Sequence, residues 1–399
     1  MTRTIDVEAE RAGTPGCATV RHLNNAGAAL PGAATLATMI DHLHLESERG
    51  GYEAAASVAD RLGAVRHSAA RLLGAGPDEV ALTGSDTQAW TKALWGLALG
   101  GGIEAGQALL VDRLAYDSHY LGLMQVAELT GARIDVVPST EDGTLSLGAL
   151  AELLGAGRTA LAALTHVGTH RGLVNPVAEA GMLCRRAGVT YFLDACQSVG
   201  QLPVDVADIG CDVATATGRK WLRGPRGTGL LYVRTGLAER LAPPGIGWSA
   251  AVWDDADHYR LRPGTERFAE FEVPVAAHLA LGTAIDHALA LGLDTIAERV
   301  GGLAEKLRAD LSALSGVVVH DGGVQRCGIV TFTVEGVVPS AVVEAAASAG
   351  VNVSVSDASM YRLDLESPNP GSRVRASPHY YNTEEELSRL VEVVDALIG

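Results

Sequence analysis

The chain has 399 residues, 47% of them hydrophobic, with 31 Lys and Arg against 47 Asp and Glu and a formal net charge of −16. That length suits a large domain beside a smaller one, and the negative charge repels nucleic acid and other polyanions. No window reaches the roughly 18 unbroken apolar residues of a membrane span, and the five scattered cysteines contain no C-x-x-C pair and form no disulfide framework.

The first eight residues carry acids where a secretory signal needs an apolar run. A cytoplasmic protein with neither nucleic-acid nor membrane partners is expected. His42 and His44 fall on a polar helical stretch and are expected in solvent. From Pro77 onward short apolar runs alternate with longer amphipathic ones, which predicts strands over 79–83, 108–112, 133–138, 159–165, 190–194, 212–215 and 229–233. Strands alternating with helices build a mainly parallel sheet covered on both faces, with ligands at its carboxyl edge. The Pro/Gly-rich stretch 241–248 breaks this pattern, and 254–272 reads as irregular and charged. Beyond Val275 follow a long Ala/Leu-rich helix, strands near 317–320 and 328–334, a helix from Ser340 and a last helix from Glu384 to Ile398. The predicted fold is α/β: a large domain over 20–258 with a seven-stranded sheet between helices, and a smaller α+β domain from 1–19 and 259–399.

Four stretches that follow strands or lie on one carry the polar chemistry. Ser85, Asp86 and Thr87 run from a strand into a helix, where backbone N–H groups and the helix dipole suit a phosphate and where an ordinary N-cap is equally at home. Asp194 and Gln197 close an apolar strand; the carboxylate there either caps a helix or holds a protonated pyridine nitrogen. Thr217, Arg219 and Lys220 combine hydroxyl, guanidinium and ammonium, a set that suits an anion plus a Schiff base, since the free amine attacks aldehydes. Arg375 lies in an apolar strand, placed to bind a carboxylate or to serve a structural role. Only two other lysines exist, Lys92 and Lys306, both in helix-like settings that predict solvent-facing salt bridges. His166 and His170 lack a helical metal-ligand pattern, so no metal is expected; their loop is expected to cross the active site, with Thr169 near the cofactor and His170 and Arg171 facing substrate. The turn at 83–89 lacks the G-x-G-x-x-G of a nicotinamide enzyme.

The run Asp194-Ala195-Cys196-Gln197, Leu202-Pro203-Val204-Asp205, Gly210-Cys211-Asp212, Gly218-Arg219-Lys220 and Gly227-Thr228-Gly229 resembles the class V aminotransferases of pyridoxal-phosphate fold type I. That family includes cysteine desulfurases, isopenicillin-epimerase-like proteins and carbon–sulfur lyases. The resemblance spans nearly the whole chain. It implies that Lys220 carries pyridoxal 5'-phosphate as a Schiff base, that Asp194 pairs with the ring nitrogen and that Gln197 meets the ring hydroxyl. Ser85, Asp86, Thr87, Thr217 and Arg219 would hold the phosphate, Tyr116 would stack on the ring, and Gly264-Thr265 would reach the phosphate of a neighbouring subunit in a homodimer with shared sites. Arg375 falls on the carboxylate-binding arginine, and Asn25 is a further expected substrate contact.

Two departures matter. Desulfurases carry a persulfide on a cysteine of a small-domain loop, and the matching stretch Val353-Ser354-Val355-Ser356-Asp357-Ala358-Ser359-Met360-Tyr361-Arg362 contains none. Arg219 stands where desulfurases have a histidine. The resemblance is thus to the branch with ergothioneine- and lincosamide-type sulfur-metabolite lyases, some of them in antibiotic biosynthesis. It implies a β-lyase acting on a cysteine S-conjugate, with transamination, epimerisation and decarboxylation coupled to oxidative deamination as alternatives at the same Cα.

Overall fold

The computed structural model describes residues 4–364 and 371–398. Residues 1–3, 365–370 and 399, all inside the segments assigned to the small domain, lie outside the described residues.

A seven-stranded sheet organises the larger part of the chain. Its strands are β1 (Val80–Thr83), β2 (Ala108–Asp112), β3 (Arg133–Val137), β4 (Thr159–Thr165), β5 (Thr190–Asp194), β6 (Val213–Thr217) and β7 (Gly229–Val233). They lie in the order β1-β7-β6-β5-β4-β2-β3, with β7 alone antiparallel to its neighbours. The predicted strands agree to within two residues at each end. The register puts the carboxyl ends of β1, β2, β4, β5 and β6 on one edge, where the connections to the next elements cross. The buried strands alternate their side chains between two apolar layers: Leu161 and Ala163 of β4 pack on one side and Ala162 and Leu164 on the other. In β5, Phe192 faces the first layer and Tyr191 and Leu193 the second.

Helices α1 (Ala33–Arg49) and α2 (Ala59–Leu73) precede the sheet; α3 (Asp86–Leu99), α4 (Asp117–Thr130), α5 (Leu147–Gly155) and α6 (Val177–Ala187) connect its strands. The long Ala/Leu-rich stretch is two helices, α7 (Val275–Leu291) and α8 (Leu293–Ser312), bent by 83° at Gly292, whose φ of +92° suits glycine. Leu281 and Ile285 of α7 join the core of the large sheet, whereas Leu303, Leu307 and Leu311 of α8 join a separate core under a four-stranded antiparallel sheet. The stretch expected to be irregular contains a hairpin, β8 (Ala251–Asp255) with β9 (His258–Leu261), whose mostly exposed, charged side chains masked its alternation. The small sheet has strands β10 (Val317–Val319), β11 (Val330–Val334), β12 (Ser354–Ser356) and β13 (Arg373–Ala376), in the order β10-β11-β13-β12. Helices α9 (Pro339–Ser348) and α10 (Glu384–Ile398) complete it. His42 is buried beside Glu46 at 3.1 Å, a correction to its expected solvation; its side of α1 faces α7 packing while His44 remains exposed.

Three chain regions meet just after Lys220. Arg223 adopts φ +60° and spends its guanidinium on Leu30 O (2.9 Å), the Tyr380 hydroxyl (2.6 Å) and Thr14, with the Tyr381 ring 4.6 Å away. An arginine saturated in this way holds a strained turn that the isolated chain would avoid. Among the described residues no single helix is long and apolar enough to cross a membrane.

Candidate active site

Lys220 follows β6 at the carboxyl edge and is buried, its Nζ donating to Cys196 Sγ at 3.1 Å and standing 5.9 Å from the Tyr116 ring centroid. Lys92 and Lys306 are paired with Glu270 and Asp310 at 2.8 and 2.9 Å, whereas Lys220 has no carboxylate within ion-pair distance among the described residues. Cys196 comes from the turn after β5, where its N–H donates to Asp194 Oδ1 at 2.9 Å. Burial pushes its thiol far up, so it is held protonated under the amine.

Arg375 on β13 donates through Nη1 to Thr169 Oγ1 (2.6 Å) and Thr169 O (3.1 Å), while its buried Nε has no partner. Burial and the neighbouring Arg219 push it down to about 10. Arg219 donates to Gly27 O and, like Arg375, has no carboxylate partner among the described residues. Arg219, Lys220 and Arg375 thus gather three cationic groups with no ion-paired carboxylate among the described residues, inside a chain whose net charge is −16. A buried cation without a partner is costly, so this edge is built for anions brought from outside.

Thr169 also accepts from Gln197 Nε2 at 3.3 Å. Gln197 further donates to Ala26 O (3.2 Å) and accepts from Trp221 Nε1 (3.0 Å). The Ser85 hydroxyl caps α3 by accepting from Gln88 N at 3.1 Å, which leaves the backbone N–H groups of the first turn, at Asp86 and exposed Thr87, free of intrahelical partners. The Thr217 hydroxyl donates to Thr228 O at 3.2 Å. Gly229 is required beside this turn: a Cβ there would lie 2.5 Å from Ser85 C.

Several of the expected contact residues have partners within the chain. The Asp86 carboxylate turns away from the helix N-terminus and meets His119 Nε2 at 2.9 Å, so only its backbone is left for a phosphate. Asn25 is fully buried, donating to Ser377 O (2.7 Å) and His22 O (3.1 Å) and accepting from the Tyr381 hydroxyl, which makes it a tie between the N-terminal segment and the exit of β13 rather than a substrate contact. His170 is also fully buried, stacked on Tyr361 at 4.1 Å and bonded to Asp364 at 3.0 Å; Arg171 reaches the same carboxylate at 2.6 Å. Both contacts lock the loop to the segment after β12, while His170 Nδ1 is left without a partner and Arg171 uses only its Nε on Asp364. Thr265 donates to Asp78 O at 3.0 Å and Gly264 N to Glu239 Oε1 at 2.8 Å. His166 is buried, and its burial alone pulls it down to about 4. His119, which no local motif marks, is brought by α4 between Asp86 and Asp194.

The anion-seeking cations, the first turn of α3 and the Asp194 carboxylate fit pyridoxal phosphate: Lys220 to hold its aldehyde carbon, Asp194 its ring nitrogen, the α3 turn with Thr217 its phosphate, and Arg375 a substrate carboxylate.

Residues 21–390 match the family model described as Aminotransferase class-V. A probable cysteine desulfurase of Methanothermobacter thermautotrophicus is 28% identical over 375 residues, covering 93% of this chain and 92% of that protein. A probable hercynylcysteine sulfoxide lyase of Mycobacterium tuberculosis is 31% identical over 378 residues, covering 94% and 89%. The apo structure of a cysteine desulfurase from Thermococcus onnurineus NA1 superposes with a TM-score of 0.92 at 23% identity, over 100% of this chain and 99% of that one.

Proposed function

The chain belongs to the aminotransferase class-V family of pyridoxal-phosphate enzymes, and on that premise we propose that it is a carbon–sulfur β-lyase acting on a cysteine S-conjugate of sulfur or secondary metabolism. The net reaction takes substrate and water to a thiol, pyruvate and ammonia.

The observation that carries this reading is the loop that a persulfide relay would need. Residues 353–362 contain no cysteine, and Tyr361 and Asp364 are committed to His170 and Arg171. Cys196, the thiol beside Lys220, is buried and held protonated, the wrong state for a nucleophile. The lyase relative at 31% identity supports the same reading.

When bound, the cofactor supplies an electrophilic carbon for the substrate amine and an electron sink for the charge left at Cα. Arg375 takes the substrate carboxylate, releasing its hold on Thr169 or sharing it, and so orients Cα. Lys220 would hold the cofactor, and its amine would serve as the base that removes the Cα proton and returns it to the departing sulfur. Asp194 keeps a proton on the ring nitrogen through its carboxylate. Tyr116, half-buried with its ring facing the Lys220 amine, closes one side of the site.

The enzyme is further proposed to work as a cytoplasmic homodimer with shared sites. Five free thiols suit a reducing compartment. Exposed Tyr52, Trp248 and Phe271 cluster with centroid separations of 6.1 and 5.0 Å, an apolar patch suited to a second copy.

Product analysis tests the reaction. With S-substituted L-cysteines the account expects equal amounts of thiol, pyruvate and ammonia. Alanine with persulfide from free cysteine would instead make it a desulfurase, and a keto acid that retains its sulfur would make it an aminotransferase.

A further inference from the structure

Asp86 and Trp90 stand four residues apart on α3, and Phe192 and Asp194 two apart on β5, so helix and strand periodicity give each pair a common face. His119, on the first turn of α4, fills the space between those faces. Its Nε2 lies 2.9 Å from Asp86 Oδ2, and its Nδ1 lies 3.2 Å from Asp194 Oδ2, an ion-pair distance though off the line of a good hydrogen bond. Trp90 stacks on the ring at 4.0 Å and 11°, and Phe192 supports Trp90 edge-on at 5.8 Å. The whole assembly is buried.

A neutral imidazole has one N–H and would set its bare lone pair against the second carboxylate; only the imidazolium serves both. The stacked indole face adds a cation–π contribution. Against burial, which opposes the charge, Asp86 and Asp194 raise the proton affinity of the ring. The other titratable groups in reach are Lys220 beside Asp86, Cys196 beside both carboxylates, Asp112 beside Asp194, where burial first and Asp194 next hold its own carboxyl up at about 7, and Tyr116, whose ring meets His119 edge-on at 5.9 Å. With His119 charged, the trio holds a single net negative charge.

We propose that His119 is a positioning residue for the cofactor: as an imidazolium it fixes Asp194 for the ring nitrogen and cancels the charge of Asp86 beneath the helix turn that receives the phosphate. This rests on the pyridoxal-phosphate reading above. The same three side chains lie within 4.8 Å of one another and offer a divalent cation three ligand atoms, which the imidazolium denies it.

The test compares wild type, H119Q, D86N and the double variant D86N/H119Q. Circular dichroism of the apo forms first verifies folding; D86N keeps the histidine and carries the test alone if H119Q does not fold. Two quantities are read: the dissociation constant for pyridoxal phosphate, and the pH midpoint of the bound cofactor's visible absorbance. Removing the cation in H119Q is expected to weaken binding about tenfold and raise the midpoint by about one pH unit, the scale of a unit charge several ångströms away. D86N is expected to lower the midpoint, and the double variant, with its net charge restored, to return both quantities toward wild type. A midpoint unmoved in H119Q and D86N, a double variant that binds the cofactor no better than H119Q, or a stoichiometric divalent metal in purified wild type would overturn the proposal. Wild type that retains no pyridoxal phosphate would overturn the cofactor reading as well, whereas wild type that loads normally beside unmoved variants overturns this inference alone.

Discussion

Arg219, Lys220 and Arg375 place three cationic groups without an ion-paired carboxylate among the described residues at one edge of a strongly acidic chain, and their separate tasks can be told apart by substitution. Lys220→Ala is expected to lose covalently held cofactor and to drop turnover by about a thousandfold or more, because amine and base vanish together; retained turnover would remove Lys220 from the chemistry. Arg375→Ala is expected to raise KM for amino-acid substrates by about 10–100-fold with cofactor still bound, the loss of one charged, two-pronged hydrogen bond; unchanged kinetics would put the carboxylate elsewhere. His119 also ties stability to pH. Its folded value, raised to about 10, lies above the unfolded ~6.5, so its contribution is fully present below pH ~6.5 and is lost as pH rises through about 10. Thermal midpoints of the apo protein should therefore show an advantage of wild type over His119→Gln at pH 6.5 that fades toward pH 10, and a gap constant with pH would contradict the charged form. Lys220, Asp194 and Arg375 could be singled out in the sequence because each stands after or within a strand with unusual neighbours. His119 could not, since its partners are 33 and 75 positions away in the chain, and the ties of Asn25 to the Ser377 carbonyl and of His170 to Asp364 were hidden for the same reason.

At the scale of elements, the site depends on how closely β7 approaches the turn into α3. Gly229→Ala would push a Cβ to 2.5 Å from Ser85 C and 2.7 Å from Thr83 Oγ1, atoms that cannot yield without moving that turn. The expected outcome is a loss of about 1–3 kcal/mol in stability, typical of overpacking, together with weaker binding of pyridoxal phosphate, read by denaturant melts and cofactor titration. Wild-type cofactor affinity would show that the first turn of α3 does not hold the phosphate. The parallel strands were readable because burial on both faces makes them short unbroken apolar runs between Gly-, Pro- and Asp-containing turns. The hairpin of β8 and β9 was not: both strands are mostly exposed, and Asp254, Asp255, His258 and Arg260 look like a solvated loop. The break between α7 and α8 was hidden because Gly292 sits between two runs of continuous helical periodicity.

The whole molecule is a chain whose reactive edge is closed by its own small sheet, through Arg375 on Thr169 and Asp364 on His170 and Arg171. Its exposed aromatic cluster predicts a dimer: sedimentation should give twice the chain mass, and Phe271→Asp should shift it toward the monomer with reduced cofactor retention, whereas a monomeric wild type would contradict shared sites. The fold class was legible from strand and helix alternation together with the resemblance, while the partner surface was not, since exposed apolar residues carry no periodic signal in a single sequence. The cofactor's attachment to Lys220 is read from the absorption spectrum of the purified enzyme before and after borohydride, followed by peptide mapping and turnover of S-substituted cysteines. Expected are a visible absorption band of the bound cofactor that borohydride abolishes by fixing it to Lys220 and, in untreated enzyme, release of pyruvate. A protein supplied with pyridoxal phosphate that shows no such band, or that carries the label on Lys92 or Lys306, would contradict that attachment.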